Sequence, residues 1–317
     1  MNQEKASKLL DKLVNSPIGR QVVGNKLNLQ FATQSDHDPN MPIVAILVPC
    51  YESPLPEMAN ALAGMMEACK GKALCYTGPV IRDSSVVHWS RNMLVAELIK
   101  TQKPWTHVLF IDDDIVPPPD AILRLLSHDK GIVAGVCTTR NDPPVPNIRW
   151  WDEEALNFRT IFDWPKDKLI EVGGVGTGFM LITREALQQV AQAYFDCLFE
   201  KELYGMSDQL IEKARVERLK YFDNHANASW FRFLPQLNGS NEYGEDMSFC
   251  LVAKRYCDIT VYCDTSVQPD HIGRYGFGVK DYHQFRDEAI AKAKAEGRYK
   301  VPSSIKVEEK DEIEVLA

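Results

Sequence analysis

Four short apolar runs, at 43–48, 72–77, 108–111 and 132–136, alternate with three stretches of helical apolar spacing, and this alternation restricts the fold more than any other feature of the chain. Ile43-Val-Ala-Ile-Leu-Val48 is continuous and closed by Pro49, the texture of a strand buried on both faces. A helix opens at Pro54-Leu-Pro-Glu57 and runs through Met65-Met66, where Gly71 can end it. A second is expected to take its cap from Ser84 or Ser85, to carry Trp89, Leu94, Val95 and Leu98 on one side, and to stop at Lys103-Pro104. The third follows Pro117–Pro119, with Asp120 as its cap and Gly131 as its C-terminal breaker. Strands and helices in this order imply an α/β fold with an open, mostly parallel central sheet flanked by helices. Such sheets bind ligands at the carboxyl ends of their strands, which is where Pro49-Cys-Tyr-Glu52 and Asp112–Asp114 fall.

The third apolar run ends in three consecutive carboxylates, Asp112-Asp113-Asp114. Unit charges about 4 Å apart repel by roughly 4 kcal/mol near a protein surface, and a divalent cation converts that repulsion to attraction. If the strand continues through them, Asp112 and Asp114 share one face and Asp113 takes the other. A solvated acidic loop or a helix cap is the plainer alternative, but Asp120 already supplies a cap. The acidic triplet therefore reads first as a site for a metal or a phosphate ligand.

Composition narrows the partners. The 317 residues carry a formal charge of -8, with 45% hydrophobic and 25% charged residues, as in an ordinary globular protein without a global basic field for gripping a nucleic-acid backbone. Eight cysteines show no C-x-x-C spacing and read as reduced core residues. Neither a signal core nor a run of about 20 apolar residues is present, so the cytoplasm is the expected compartment.

Past Thr138 the chain becomes proline-rich and aromatic, with Trp150-Trp151 expected on loops, as platforms for a sugar or as a small aromatic core. Glu171-Val-Gly-Gly-Val-Gly-Thr-Gly-Phe-Met-Leu-Ile182 runs from glycines into an apolar strand, and close backbone approach accounts for the glycines. Trp230-Phe-Arg-Phe-Leu234 looks strand-like. Gly244-Glu-Asp-Met-Ser-Phe249 sets Glu245 and Asp246 in the first turn of a helix, where the dipole favours carboxylates. Another strand at 259–263 leads to His271-Ile-Gly273 in a glycine-aromatic loop. The organisation expected is an N-terminal helix and linker (1–41), a catalytic domain (42–280) with a helical insertion at about 196–235, and a C-terminal helix with an acidic tail (281–317).

Taken in order, Phe-Ile-Asp-Asp-Asp-Ile, Gly-Thr-Gly-Phe-Met-Leu-Ile, Gly-Glu-Asp-Met-Ser-Phe and the late His-Ile-Gly resemble the GT-A-fold glycosyltransferases, in particular their compact bacterial and phage-type members. The resemblance implies a GT-A-like, Rossmann-like domain and a nucleotide-sugar donor, a UDP-sugar foremost. By the same resemblance Asp112 and Asp114 are the D-x-D carboxylates and His271 a further ligand to the metal on the diphosphate. Oxygen ligands with one imidazole favour Mn²⁺, or else Mg²⁺. Pro49, Tyr51, Glu52, Arg91, Asn92 and Asp113 would contact the donor nucleotide, Gly176, Thr177 and Gly178 the donor sugar, and Trp150 and Trp151 the acceptor. Asp246 would be the general base of an inverting reaction, with Glu245 positioning the acceptor hydroxyl. The acceptor could be a glycan, a protein, a lipid-linked sugar or a modified DNA base.

The leading alternative is a nucleotidyltransferase acting on a sugar phosphate or nucleotide, although Pro49-Cys-Tyr-Glu-Ser-Pro54 lacks a glycine- and base-rich phosphate loop. A non-enzymatic calcium module ranks third, because Val116 and Pro117 stand where an EF-hand loop needs oxygen ligands and glycine. A noncatalytic sugar-nucleotide-binding relative is a further alternative.

Overall fold

The computed structural model describes residues 41–50, 55–79, 86–141, 143–196, 230–239, 241–273 and 276–301. The expected N-terminal helix, Tyr51, Glu52, Ser84, Ser85, most of the insertion and the acidic tail lie outside these residues. The first half alternates as its apolar pattern requires: β1 (Ile43–Leu47), α1 (Pro56–Ala68), β2 (Leu74–Thr77), α2 (Val87–Lys100), β3 (His107–Ile111), a short β4 (Ile115–Val116), α3 (Ala121–Ser127) and β5 (Ile132–Gly135). The second half is more strand-rich: β6 (Ile148–Asp152), β7 (Asn157–Thr160), β8 (Leu169–Val172), β9 (Gly174–Val175) and β10 (Phe179–Thr183) precede α4 (Arg184–Asp196). Then come β11 (Leu234–Pro235), β12 (Glu242–Tyr243), α5 (Glu245–Tyr256), β13 (Val261–Asp264), β14 (Asp270–Ile272), β15 (Gly276–Phe277) and α6 (Val279–Ala295).

The central sheet has seven strands in the order β2-β1-β3-β10-β5-β13-β8. Strands β2, β1, β3, β5 and β13 run one way; β10 is antiparallel to both its neighbours and β8 closes the edge antiparallel to β13. Both faces of the sheet are covered, which is why its strands are continuous apolar runs rather than alternating ones. Ala45, Leu47, Val108 and Phe110 point to one layer, built with Leu94, Val95 and Leu98 of α2 and Phe249–Ala253 of α5. Val44, Ile46, Leu109 and Ile111 point to the other, with Met58 and Met65 of α1 and Ile122 and Leu125 of α3. Burying each of the Val, Leu, Ile, Phe and Met side chains among them contributes roughly 1.5–3 kcal/mol. Helix α6 adds a smaller cluster, in which the Tyr282 hydroxyl donates to the Phe162 carbonyl and Ala289 and Ala293 pack nearby. Among the described residues no helix is long and apolar enough to cross a membrane.

Local signals were less faithful than the apolar runs. Helix α2 starts at Val86, which offers no side-chain cap, and Trp89 is 49% exposed rather than part of its buried side. Asp120 does not cap α3; its carboxylate accepts from Arg124 Nε at 2.7 Å, one turn on, and the ion pair takes the place of the cap. That helix ends at His128, and Asp129, at φ +49°, makes the left-handed turn expected of Gly131. A short acidic side chain tolerates that conformation by bonding locally. Only Leu234 and Pro235 of the 230–234 run form a strand; Trp230 and Phe231 are core residues, and Trp230 Nε1 donates to the Leu187 carbonyl at 3.0 Å.

One buried hydrogen bond braces β13. His128 Nε2 lies 2.7 Å from Asp264 Oδ2, with both side chains 5% exposed. A carboxylate only accepts, so Nε2 carries the proton. Burial raises the Asp264 pKa, but the bonds from His128 and from the Ser266 hydroxyl and N–H outweigh it and hold the carboxyl below its ordinary value. A depressed native pKa stabilises the fold at pH values above the unfolded value of about 3.9, and that stabilisation disappears as the pH falls through the native pKa. Asp264→Asn is therefore expected to lower stability at neutral pH and to flatten its decline in acid, as followed by urea denaturation across pH. Parallel acid limbs for the two proteins would contradict this.

Candidate active site

Four segments converge where β3 leaves the sheet. The strand stops at Ile111, so Asp112–Asp114 form a turn, closed by the Ile115 N–H on the Asp112 carbonyl at 3.1 Å, rather than the strand continuation that strict alternation assumed. The antiparallel direction of β10 brings Gly176-Thr-Gly178 to this end of the sheet, where the Gly178 carbonyl accepts the Asp112 N–H at 3.0 Å. Helix α5 points its N-terminus, with Glu245 and Asp246, to the same place. The late histidine is not on a flexible loop: β14 pairs with β4, setting His271 opposite Ile115, and the Ile272 N–H donates to the Asp114 carbonyl at 2.8 Å.

Arg91 joins two of these segments. Its side chain is 4% exposed, with Nη2 donating to Asp112 Oδ1 at 2.8 Å and Nη1 to Glu245 Oε1 at 2.6 Å. Burial alone would lower its pKa; the facing carboxylates of Asp112 and Glu245 outweigh burial and keep the guanidinium firmly charged. Arg91 thus spans the two acidic motifs as a strut. Asn92, expected beside it at the nucleotide, is engaged with the backbone: Oδ1 accepts the N–H groups of Trp230 and Phe231 at 2.8 and 2.9 Å, and Nδ2 donates to the Phe231 carbonyl at 2.7 Å. Such bonds contribute about 1 kcal/mol each.

Asp114 sits between His271 Nε2 at 3.2 Å and the Arg140 guanidinium, with Nη1 at 2.9 Å. Burial pushes the Asp114 pKa up, yet His271 and Arg140 bring it below the ordinary carboxylate range. His271 Nδ1 lies 2.7 Å from the Thr138 carbonyl, which only accepts, so Nδ1 carries a proton and the ring is held with Nε2 towards Asp114. Burial lowers the His271 pKa, but Asp114 and the Thr138 carbonyl raise it above the usual imidazole value. Cys137 is buried against this cluster, and burial together with Asp112 and Asp114 pushes its thiol pKa up.

These groups bear on a cation unequally. An imidazole anchored through Nδ1–H on a carbonyl is the usual support of a metal-ligating histidine. Two ligands about 3 Å apart suit neighbouring positions around Mg²⁺ or Mn²⁺. Asp112 does not join them, being bound to Arg91, and no group of three or more His, Cys, Asp or Glu among the described residues could hold a metal. Asp114 and His271 fit a cation that takes its remaining ligands from a bound phosphate and water, the common pattern for Mg²⁺, rather than a cage made of protein alone.

Asp246 lies on the other side of the glycine loop. Its Oδ1 accepts the Met247 N–H at 2.7 Å, and a Cβ added at Gly176 would come within 3.5 Å of its Oδ2. What confines Gly176 is Asn147, whose Nδ2 would lie 3.1 Å from the added Cβ, and Gly178 is confined by Asp112 Oδ2 at 3.3 Å, so close approach does explain these glycines. The Thr177 hydroxyl between them is buried without a hydrogen-bond partner. Burial, reinforced by the charge of Glu245, raises the Asp246 pKa above that of an ordinary aspartate. A raised carboxylate pKa makes a stronger base.

Of the remaining candidates, Pro49 is buried at the end of β1 and the Asp113 carbonyl accepts the Leu55 N–H at 3.2 Å. Trp150 and Trp151 belong to strand β6, not to loops; Trp151 packs edge-on to Phe158 at 5.1 Å, and Lys300 Nζ lies 5.8 Å from the Trp150 ring centre. Sequence reasoning overlooked Thr138, Arg140, Asn147 and Arg149. Thr138, Arg140 and Asn147 have partners distant in the chain, His271, Asp114 and Gly176, and no local pattern marks them. An aromatic cleft of about 450 Å³, walled by Phe162, Trp164 and Tyr299, lies apart from the carboxylates named above.

No family model matches the chain, and no curated protein matches it. Among solved structures, A197 from STIV aligns over 74% of this chain and 86% of its own, at 14% identity and a TM-score of 0.38. A nucleoside-diphosphate-sugar pyrophosphorylase from Vibrio cholerae RC9 aligns over 76% of this chain and 99% of its own, at 11% identity and a TM-score of 0.33. A glycosyltransferase involved in the glycosylation of the major capsid of PBCV-1 aligns over 56% and 77%, at 13% identity and a TM-score of 0.27. Likenesses of this size establish no shared activity.

Proposed function

We propose that this chain is a glycosyltransferase, moving a sugar from a nucleotide-sugar donor at Asp114 and His271 to an acceptor hydroxyl beside Asp246. One observation carries the reading: Arg91 binds Asp112 and Glu245 at once, so two acidic motifs more than a hundred residues apart form one cluster at the carboxyl ends of the strands. Asp114 and His271 would hold a divalent cation, Mn²⁺ or Mg²⁺, which when bound neutralises charge on the departing nucleoside diphosphate. Asp246 accepts the proton of the acceptor hydroxyl as its oxygen bonds to the anomeric carbon and the bond from that carbon to the diphosphate oxygen breaks. Glu245, fixed by Arg91, orients that hydroxyl, and the buried Thr177 hydroxyl faces the donor sugar between the two motifs.

The test is release of the nucleotide from UDP-, GDP-, TDP- and CMP-sugars, a nucleoside diphosphate from the first three and CMP from the last, with Mn²⁺ or with chelator. Slow release from one donor is expected, lost with chelator and lost in Asp114→Ala. Release that survives both treatments would remove Asp114 and the cation from the reaction, and pyrophosphate released from a nucleoside triphosphate and a sugar 1-phosphate, with no release from any nucleotide-sugar, would identify a nucleotidyltransferase.

A further inference from the structure

Past the carboxyl end of β5 the chain turns back on itself. Thr138 bridges to Pro146 and the Thr139 N–H donates to the Val145 carbonyl at 2.8 Å, which pins the segment that carries Arg140. This segment serves the site twice. The Thr138 carbonyl holds the His271 ring through Nδ1 at 2.7 Å, and two residues on, the Arg140 side chain reaches across to put Nη1 2.9 Å from Asp114 Oδ2. The other Asp114 oxygen, Oδ1, lies 3.2 Å from His271 Nε2. One carboxylate thus meets the imidazole that would share a cation with it and a guanidinium whose charge opposes that cation. The two arginines of the site differ in how firmly they are held. Arg91 is 4% exposed and bound to two carboxylates, whereas the Arg140 side chain is 52% exposed and its pair with Asp114 faces water. An ion pair so open to solvent is weak and exchanges readily.

We infer that Arg140 stands in for the cation at Asp114 until the donor binds and then passes to the donor's diphosphate, so that the metal enters together with the diphosphate rather than ahead of it. The inference rests on the transferase reading above and adds the order in which that site fills. Before the donor arrives, Arg140 competes with a bare cation for Asp114 Oδ2 and repels it. A diphosphate beside Asp114 and His271 offers Arg140 a better partner, because the planar fork of a guanidinium matches a pair of phosphate oxygens. The exchange keeps a charge-assisted bond on Arg140 and frees Asp114 for the cation. Each ligand removes the obstacle to the other, and the two bind with positive coupling.

The test measures two affinities on the full chain, for wild type, Arg140→Met and Arg140→Lys. Bare Mn²⁺ is followed by loss of the free-ion paramagnetic resonance signal, and UDP, GDP and TDP are titrated by calorimetry at saturating Mn²⁺. Arg140→Met is expected to bind bare Mn²⁺ about threefold to tenfold more tightly than wild type, because Asp114 loses its competitor, and to bind the preferred nucleoside diphosphate about tenfold more weakly. Arg140→Lys is expected to stay near wild type towards bare Mn²⁺ and to recover only part of the diphosphate affinity, since an ammonium lacks the fork. The opposite signs exclude a merely structural role: a side chain that only propped Asp114 would weaken both affinities when removed. Bare Mn²⁺ bound no more tightly by Arg140→Met, or diphosphate affinity undiminished in it, would overturn the inference. If wild type binds a nucleoside diphosphate with Mn²⁺ while either change is missing, this inference fails alone, whereas a wild type that binds none of the three removes the transferase reading with it.

Discussion

Asp246→Asn is expected to reduce sugar transfer by about a hundredfold to ten-thousandfold, the range usual for loss of a general base, while the donor still binds. Asparagine keeps the shape of the side chain and can still accept the Met247 N–H through its amide oxygen. Proton acceptance is what disappears. The pH profile gives a second readout. Burial and the Glu245 charge raise the Asp246 pKa, so the wild-type rate should begin to fall on acidification at a pH above that of an ordinary aspartate, and that limb should be missing from the residual activity of the variant. Full activity in Asp246→Asn would remove it from the reaction; a loss confined to donor binding would assign it to the donor side.

Arg91→Leu is expected to destabilise the protein by about 3 kcal/mol, the low end for breaking a buried pair, because Asp112 and Glu245 keep some contact with water. The same change should uncouple the two acidic motifs and depress transfer beyond what instability explains. Arg91→Lys tests whether charge or span matters. An ammonium is a point charge without the planar fork that reaches Asp112 and Glu245 together, so it should recover less than half of the lost stability in urea titrations at constant m. A lysine variant as stable as wild type would show that the site needs only a positive charge.

Strand positions were legible because a sheet covered on both faces requires uninterrupted apolar runs, and β1, β3, β5 and β10 have them. Strand direction was not, since Phe179–Thr183 reads the same whether parallel or antiparallel. The acidic motifs were legible from residue type and order. Their geometry was not: Arg91 read as a nucleotide contact and is a strut, and Asn92 read likewise and ties down the 230–231 backbone. Ending signals such as Asp120 and Gly131 were misread because an ion pair to Arg124 and a left-handed Asp129 satisfy the same needs differently.

The antiparallel β10 also governs the order in which the sheet is completed during synthesis. Strand β1 has both its partners, β2 and β3, in the chain once Ile111 is made, but β3 has no second neighbour until Phe179–Thr183 has emerged, and β5 waits for the same segment. In that interval His107–Ile111 presents an apolar edge with unpaired backbone groups, the kind of surface that recruits other chains. One late strand therefore closes two open edges at once, and the nascent half-sheet depends on it to stay out of aggregates.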